Sequence, residues 1–242
     1  MKPISKQLVY DNHFLDNKIP EELRYLPDPD HEYPVFIKEH LLSADECDAL
    51  VQNSLANGYR KPVSLGANQI VHTGIRHTEF LLPDPEFRTL YVERSNFIKP
   101  EIETFFDLPL AETGETQTYG YPPSGHYLLH ADDSVRQYNE NGELTHWKAT
   151  NPNRKISGIL FLTDSVMELT GPNQCVGGNL SFDFLLDKNN GEPFLIEPRK
   201  GTYVAFPSNP YFSHRVHEIY EGYRVVIVNW YTLAQQEARS AS

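Results

Sequence analysis

His130 and Asp132 stand two positions apart in residues 124–132, a segment whose composition is typical of a strand. Side chains at positions i and i+2 of a strand lie on the same face, so this imidazole and this carboxylate could reach one metal ion. A second imidazole far downstream, His214, would complete a facial set of two histidines and one carboxylate. Such a set, with open coordination positions, is typical of non-haem Fe(II) oxygenases.

The spacing alone carries little information. His77 and Glu79 repeat it, and a chain with 10 histidines and 33 acidic residues is expected to contain such triplets by chance. An isolated triplet of this kind is more often a solvated strand edge than a metal site. The rest of the chain must therefore decide between the two interpretations.

Composition limits the class of protein. A length of 242 residues fits one large domain, and a formal net charge of −12 disfavours nucleic acid or anionic membranes as partners, since both need clustered Lys and Arg. Cys47 and Cys175 are too few for a disulfide framework, and Cys47 is expected to be a small buried hydrophobe in a helix. The sequence shows no signal-peptide pattern and no apolar run of the roughly 20 residues that span a bilayer. We therefore expect a cytoplasmic protein.

The first part of the chain is predicted to form an arm followed by helices. Residues 1–33 are polar and interrupted by prolines, so we expect them to pack on the surface. Ser43 and Glu46 form a capping box, which predicts the start of a helix. Residues 61–82 are consistent with a hairpin or a mobile finger. A second helix follows and is expected to break or kink at Pro100, because proline removes a helical hydrogen bond.

From residue 117 onward the pattern changes to short strands separated by Gly, Pro and Asn turns. Many short strands in succession favour a sandwich or barrel over an α/β sheet. Residues 133–154 form a long polar insertion, for which a lid or binding loop and a disordered surface excursion are both open. The predicted strands are 117–121, 126–131, 155–163, 179–185, 193–197, 202–206, 213–219 and 223–232.

The last predicted strand has a charged residue on an otherwise apolar face. Its alternation places Arg224 on one face with Val226, Val228 and Trp230. A buried arginine needs an anion, and its planar guanidinium suits a carboxylate bidentately. An internal salt bridge to one of the many acidic residues is the alternative explanation.

An ordered set of short motifs runs through the chain. In order they are Tyr121, Gly125 and Tyr127 ahead of His130-Ala131-Asp132; the strand Arg154-Lys155-Ile156-Ser157-Gly158-Ile159-Leu160-Phe161-Leu162; Gly177-Gly178-Asn179-Leu180-Ser181-Phe182; and His214-x-Val216-x-x-Ile219-x-x-Gly222-x-Arg224. Over roughly residues 34–231 the sequence thereby resembles the prolyl-4-hydroxylase-like branch of the Fe(II)/2-oxoglutarate-dependent oxygenase superfamily. Each motif is weak alone, but their common order is specific.

The resemblance implies a mainly β (α+β) fold. Its core would be a double-stranded β-helix, the jelly roll of cupin-like proteins, with flanking N-terminal helices. It also implies a division into an N-terminal arm at 1–33, an oxygenase domain at 34–232 and a C-terminal tail at 233–242.

The resemblance further implies that His130, Asp132 and His214 bind Fe(II). The ten-residue step to Arg224 selects His214 over His217 as the second histidine ligand. Arg224 would bind the distal carboxylate of 2-oxoglutarate (2OG), which with O2 is the expected co-substrate.

Further residues are expected around the two substrates. Many relatives carry a tyrosine where Phe161 stands, so Tyr121 and Ser157 are expected to replace it as hydrogen-bond donors to 2OG. Tyr127 and Trp230 are expected beside the substrate that is oxidised. Tyr127 lies three positions before the first histidine, however, and would point to the opposite face unless the strand is bulged.

The function implied is hydroxylation of an unactivated C–H bond of a small molecule, such as an amino acid or a natural-product intermediate, with release of succinate and CO2. The absence of a separate peptide-binding domain favours a small molecule, and a prolyl 4-hydroxylase acting on a peptide or protein is the alternative. A cupin-like metal enzyme or a non-catalytic binding module is disfavoured by the complete triad and Arg224. Desaturation or cyclisation is left open, as is the oligomeric state.

Overall fold

Two antiparallel sheets of seven strands each form the body of the protein. The structure is a computed structural model that describes residues 1–10, 18–56, 58–63, 71–113 and 116–234. Its helices are α1 (Ala44–Ala56) and α2 (Pro85–Phe106). Its strands are β1 (Lys2–Pro3), β2 (Leu8–Tyr10), β3 (Phe36–Lys38), β4 (Arg60–Pro62), β5 (Arg76–His77), β6 (Glu79–Leu81), β7 (Thr116–Tyr121), β8 (His126–His130), β9 (Ser134–Tyr138), β10 (Leu144–Ala149), β11 (Ile156–Phe161), β12 (Asp164–Ser165), β13 (Gln174–Gly177), β14 (Leu180–Asp187), β15 (Pro193–Ile196), β16 (Tyr203–Pro207), β17 (His214–Val216), β18 (Ile219–Gly222) and β19 (Arg224–Tyr231).

The strand order explains how distant segments meet. The first sheet runs β1-β2-β14-β17-β8-β5, with β15 also paired to β14. The second runs β3-β16-β11-β19-β7-β6-β4. Neighbours such as β8 and β17 are far apart in sequence, which is the pattern of a jelly roll rather than of consecutive hairpins. The predicted mainly β core with N-terminal helices is confirmed, and each of the eight predicted strand segments contains a strand.

Apolar side chains from both sheets fill the space between them. Strands with alternating polarity place every second residue inward, and the interior receives Phe182 and Val216 from the first sheet and Phe161, Phe206 and Val226 from the second. This packing fixes the distance between the sheets.

A second apolar layer holds the two helices against the outer face of the second sheet. Leu50 and Val51 of α1 are buried there, and the predicted capping box is present: the Ser43 amide donates to Glu46 Oε2 at 2.8 Å and the Glu46 amide donates to Ser43 Oγ at 3.2 Å. Cys47 is fully buried in α1, as predicted.

Of the predicted break or kink at Pro100, the break is wrong, because α2 continues through it to Phe106. Ile98 and Ile102, on either side of the proline, are completely buried against the second sheet. A proline inside a helix costs about 3 kcal/mol, whereas each fully buried Ile contributes about 1.5–3 kcal/mol. Tertiary packing therefore outweighs the local penalty.

The polar insertion at 133–154 is an ordered hairpin of β9 and β10, not a disordered excursion. Its Trp147 is only 1% exposed and belongs to the apolar interior. The hairpin is thereby fastened to the body of the protein, beside the candidate site.

The predicted domain boundaries are not tested by the structure and stay a prediction. The structure does show how part of the N-terminal arm is held. Within the 1–33 arm, β2 pairs with β14 and buries Leu8 and Tyr10. Residues 235–242 of the predicted tail lie outside the described residues, as do residues 64–70 of the predicted hairpin or finger. No helix in the described part of the chain is long and apolar enough to cross a membrane.

Candidate metal centre and its cavity

The first sheet brings the three predicted metal ligands together. β8 and β17 are neighbours, and their register places His130 directly opposite His214. Asp132 follows two residues after His130, and one ligand atom from each of the three side chains lies within 4.8 Å of the others. His130 Nε2 lies 3.6 Å from Asp132 Oδ1. This spacing fits three donors around one small cation.

Hydrogen bonds orient the two imidazoles. His130 Nδ1 lies 2.9 Å from the Leu128 carbonyl and His214 Nδ1 lies 3.0 Å from the Phe212 carbonyl. A carbonyl only accepts, so each Nδ1 must carry a proton, and Nε2 is the nitrogen of each neutral ring that has a lone pair for a metal. Metal-binding histidines are commonly fixed in this way by a backbone carbonyl. Both rings are therefore prepared as metal ligands.

The carboxylate is oriented by a serine. Ser157 Oγ donates to Asp132 Oδ2 at 2.6 Å and also lies 2.8 Å from Ser208 Oγ. The bond engages one carboxylate oxygen and leaves Oδ1 facing His130. Ser157 was expected to donate to 2OG; that role stays a prediction, and the contact in the structure is with Asp132.

Electrostatics keep His130 and Asp132 in the protonation states that a metal requires. Burial lowers the pKa of His130, and the neighbouring His214 acts in the same direction. Burial alone would raise the pKa of Asp132, but His214, His130 and the Ser157 hydrogen bond hold it below its usual value. Near neutral pH the site therefore offers a neutral imidazole at His130 and an ionised carboxylate.

The triad opens into a cavity of about 1200 Å³ between the two sheets. The β9–β10 hairpin forms one part of the wall through Arg136 and Trp147, and β19 forms another through Arg224 and Trp230. Ligand cavities are commonly of about 300–1,000 Å³, so there is room for two small molecules side by side.

Arg224 lies deep in this cavity and is only 1% exposed. Its guanidinium carbon is 4.8 Å from the centre of the Tyr121 ring and 5.4 Å from that of Phe161. Nε, Nη1 and Nη2 all lack a hydrogen-bond partner among the described residues. Burial lowers the pKa of Arg224, whereas the Tyr121 phenol beside it acts in the opposite direction. Since native proteins rarely bury a charge unpaired, this side chain fits an anionic ligand.

Gly178 makes room for this arginine. It has a φ of +75°, and a Cβ on it would lie 2.8 Å from Arg224 Cδ and 2.4 Å from Ile219 Cδ1. A side chain at this position would therefore push the guanidinium aside. The Gly177-Gly178 motif found in the sequence thus has a direct structural reason.

The two predicted substrate residues both line the cavity. Tyr127 stacks on His130, with ring centres 3.5 Å apart. A bulge explains this contact: His214 opposes His130 while Val216 opposes Tyr127, so β8 advances three residues where β17 advances two. Trp230 packs under the Arg154 guanidinium, 3.7 Å from its carbon atom.

Sequence reasoning missed several polar groups of the cavity. Arg76, on β5, lies between the rings of Tyr119 and Tyr127, at 4.3 and 4.5 Å from their centres. Arg154 Nη1 donates to the Asp132 carbonyl at 3.3 Å. A periodic pattern could not reveal them, because β5 has two residues and Arg154 precedes its strand.

The chance triplet at His77 and Glu79 is separate from the triad. His77 Nδ1 lies 3.2 Å from the Ser124 carbonyl, and Glu79 accepts a hydrogen bond from Tyr223. Within the described residues, the group of metal-binding side chains that the structure assembles is His130, Asp132 and His214.

Comparisons with known proteins agree with this geometry. The family model described as the 2OG-Fe(II) oxygenase superfamily matches residues 116–232, the part of the chain that supplies the triad and Arg224. No curated protein sequence matches the chain significantly.

Solved structures show the same fold. A prolyl-4-hydroxylase from Pseudomonas putida is 23% identical with a TM-score of 0.58, and the match covers 82% of this chain and 92% of that one. A prolyl hydroxylase from Trichoplax adhaerens, in complex with a hypoxia inducible factor peptide fragment, is 18% identical with a TM-score of 0.61, covering 86% and 87%. An oxidoreductase of the 2OG-Fe(II) oxygenase family from Burkholderia pseudomallei is 15% identical with a TM-score of 0.51, covering 86% and 89%.

Proposed function

We propose that this protein is a hydroxylase that acts on an unactivated C–H bond of a small molecule. Its residues 116–232 match the 2OG-Fe(II) oxygenase superfamily, and the chain is accordingly a 2OG-dependent dioxygenase that uses Fe(II) and O2. The observation that carries the proposal is that three metal-ligand side chains and one buried arginine without a hydrogen-bond partner line the same cavity.

His130, Asp132 and His214 hold Fe(II) in this proposal. The donor set fits the ion, since two neutral imidazoles and one carboxylate on one side leave other coordination positions open. The Leu128 and Phe212 carbonyls engage Nδ1 of each ring, so Nε2 is the atom of each that would bind the ion. Ser157 acts as a positioning residue that holds Asp132 by its second oxygen.

Arg224 binds the distal carboxylate of 2OG. Its three unpaired nitrogens offer the bidentate donor geometry that a carboxylate prefers. Tyr121 lines the same part of the cavity and supplies a phenol beside the guanidinium. Phe161 provides an apolar wall there and no hydrogen bond, so the remaining stabilisation of the carboxylate rests on Tyr121.

With iron and 2OG bound, the site supplies an oxidation in which O2 and 2OG give succinate and CO2 while one oxygen atom enters the substrate C–H bond. The protein's contribution is to position the co-substrate and the substrate and to exclude water. Tyr127 and Trp230 form the substrate-facing walls next to the triad. Burial raises the pKa of Tyr127 to about 12, so its phenol keeps the proton and can donate a hydrogen bond to substrate.

A peptidyl-proline hydroxylase is the second candidate. Its support is the likeness to solved prolyl hydroxylases, one of which is bound to a peptide fragment. At these identities the likeness concerns the fold, so the choice of substrate rests on the walls of the cavity. We favour a compact ligand on this ground, because the hairpin and β19 both line the space that the triad opens into.

A spectroscopic titration tests the proposal. Under anaerobic conditions, addition of Fe(II) and 2OG to the protein should give a weak visible charge-transfer band. Arg224→Gln should need a much higher 2OG concentration to develop that band. Arg199→Gln, which removes an exposed arginine that is not among the residues lining the cavity, is the matched control and should behave as the wild type. A wild-type protein without the band would overturn the proposal.

Substrate class is tested by succinate release. Free amino acids, prolyl peptides and larger metabolites are assayed separately with the Fe(II)-loaded enzyme. Turnover of a small molecule supports the first candidate, and turnover of peptides alone would establish the second in its place.

A further inference from the structure

The charge of the cavity is opposite to that of the protein. The whole chain carries 21 Lys and Arg against 33 Asp and Glu. Among the described residues that line the cavity, however, five are cationic and one is a carboxylate. They are Lys61, Arg76, Arg136, Arg154, Arg224 and Asp132.

None of these five cations forms an ion pair with an acidic side chain in the described part of the chain, whereas Arg94, Lys200 and Arg215 elsewhere each do. A cluster of unneutralised cations in a concave, low-dielectric wall concentrates positive potential and attracts anions. The cavity is therefore built for more negative charge than the single carboxylate supplies.

The proposed co-substrate accounts for only part of this charge. One carboxylate of 2OG would lie at the iron and the other at Arg224, which leaves four cations. Two of these already hold backbone groups: Arg136 Nη2 donates to the Leu129 carbonyl at 2.6 Å and Arg154 Nη1 donates to the Asp132 carbonyl at 3.3 Å. Lys61 is exposed.

Arg76 is the remaining cation and the best placed. Its Nε donates to Thr78 Oγ1 at 2.9 Å, its guanidinium carbon lies 4.3 and 4.5 Å from the ring centres of Tyr119 and Tyr127, and its side chain is also hydrogen-bonded to Tyr119. β5 pairs with β8 so that Arg76 stands opposite Tyr127. Because Tyr127 in turn stacks on His130, one aromatic ring separates the guanidinium from the triad.

We propose that the substrate carries a carboxylate and that Arg76 binds it, one ring's width from the metal site. The substrate class is then a free amino acid or a similarly compact carboxylic acid. Its carboxylate lies at Arg76, and the carbon atoms next to it extend past Tyr127 towards the iron. This inference rests on the proposed function, and it narrows that function to anionic small molecules.

The test compares each acid with its neutral counterpart. The anaerobic Fe(II)- and 2OG-loaded enzyme is titrated calorimetrically with the twenty L-amino acids and a set of short aliphatic acids, each paired with its carboxamide. A capped prolyl peptide amide is included as a neutral peptide probe. We expect at least one acid to bind about 10- to 100-fold more tightly than its amide, which is the ratio typical of a hydrogen bond to a charged group.

Variants assign this preference to Arg76. In Arg76→Gln the affinity for the acid should fall to that for the amide, with the affinity for the amide unchanged, and Arg76→Lys should restore part of the difference. Arg199→Gln removes the same charge from an exposed position and should keep the full difference.

Any of four binding results would overturn the inference, and a fifth concerns 2OG. The four are that no acid binds more tightly than its amide, that the capped peptide alone binds, that Arg76→Gln keeps the preference, or that it weakens both probes alike. Weakened 2OG binding in that variant would instead assign Arg76 to the co-substrate and also overturns it. Failure of the proposed function is recognised separately, by the absence of the 2OG-dependent band before any acid is added.

Discussion

Replacing Arg224 with methionine should make the 2OG-free protein more stable while removing its response to 2OG. The guanidinium is 1% exposed, and all three of its nitrogens lack a partner among the described residues. Burying an ion without a partner costs several kcal/mol. The rings of Tyr121 and Phe161 return part of this cost through cation–π contact, which is worth about 2 kcal/mol per ring at a buried site. Since methionine keeps the length of the side chain without the charge, the cost of desolvation disappears.

The two opposing contributions give the expected size of the effect. We expect Arg224→Met to raise the free energy of unfolding by about 1–2 kcal/mol without 2OG, which is a rise of about 2–8 °C in melting temperature for a chain of this size. Adding 2OG at about 100 times its dissociation constant should stabilise the wild type by about 2.7 kcal/mol. The variant should gain nothing, so the order of the two stabilities reverses on adding 2OG.

Thermal and urea unfolding of the Fe(II)-loaded protein under anaerobic conditions, with and without 2OG, measures both effects. Arg215→Met is the matched control, because Arg215 is paired with Asp183. Its removal leaves a carboxylate unpaired, and we expect a small loss of stability that 2OG does not change. A variant at Arg224 that is less stable than the wild type without 2OG, and that 2OG stabilises as usual, would refute the reasoning.

Three further predictions follow from single contacts. Ser157→Ala should weaken Fe(II) binding about 10- to 100-fold, since it removes the hydrogen bond that orients Asp132; unchanged affinity in a calorimetric titration would contradict this role. Gly178→Ala should lower the free energy of unfolding by about 2–4 kcal/mol, through its positive φ and its close contacts, whereas Gly171→Ala, with nothing within 4 Å, should change it by less than about 0.5 kcal/mol. Burial raises the pKa of Asp133 to about 7, above the value of about 3.9 in an unfolded chain, so the folded state prefers the protonated form. Asp133→Asn should therefore stabilise the metal-free protein by about 2–4 kcal/mol at pH 8. In urea unfolding experiments this gain in stability should shrink below pH 7 and vanish near pH 4. A gain in stability that does not depend on pH would contradict the assignment to Asp133 ionisation.

Much of the fold could be predicted from the sequence because strands with one buried face have a clear pattern. The capping box at Ser43 and Glu46 marked α1 for a similar reason, since the interaction is local. Pro100 could not be judged in the same way. Its penalty is local, but the burial of Ile98 and Ile102 that outweighs it depends on the second sheet.

In the candidate site, too, residues with a local sequence pattern could be predicted, and residues placed by tertiary contacts could not. The triad and Arg224 were found because their spacing follows regular strands and an ordered set of motifs. The face of Tyr127 depended on a bulge, which moves a side chain across the strand without any mark in the sequence. Arg76 reaches the cavity only through pairing between β5 and β8, so no local pattern could indicate it.

Arg224 and Arg76 differ in burial and in hydrogen bonding, and this difference bears on the order in which 2OG and the substrate bind. Arg224 is fully buried without a hydrogen-bond partner among the described residues, so the free protein already carries the desolvation cost of this charge. Part of the free energy of 2OG binding comes from offsetting that cost. Arg76 is only partly buried, is bonded to Thr78 and lies between two rings, so its charge is stabilised without a ligand. An anion should therefore gain more at Arg224 than at Arg76. The same charges that attract both molecules thus favour binding of 2OG first and of the oxidised substrate second.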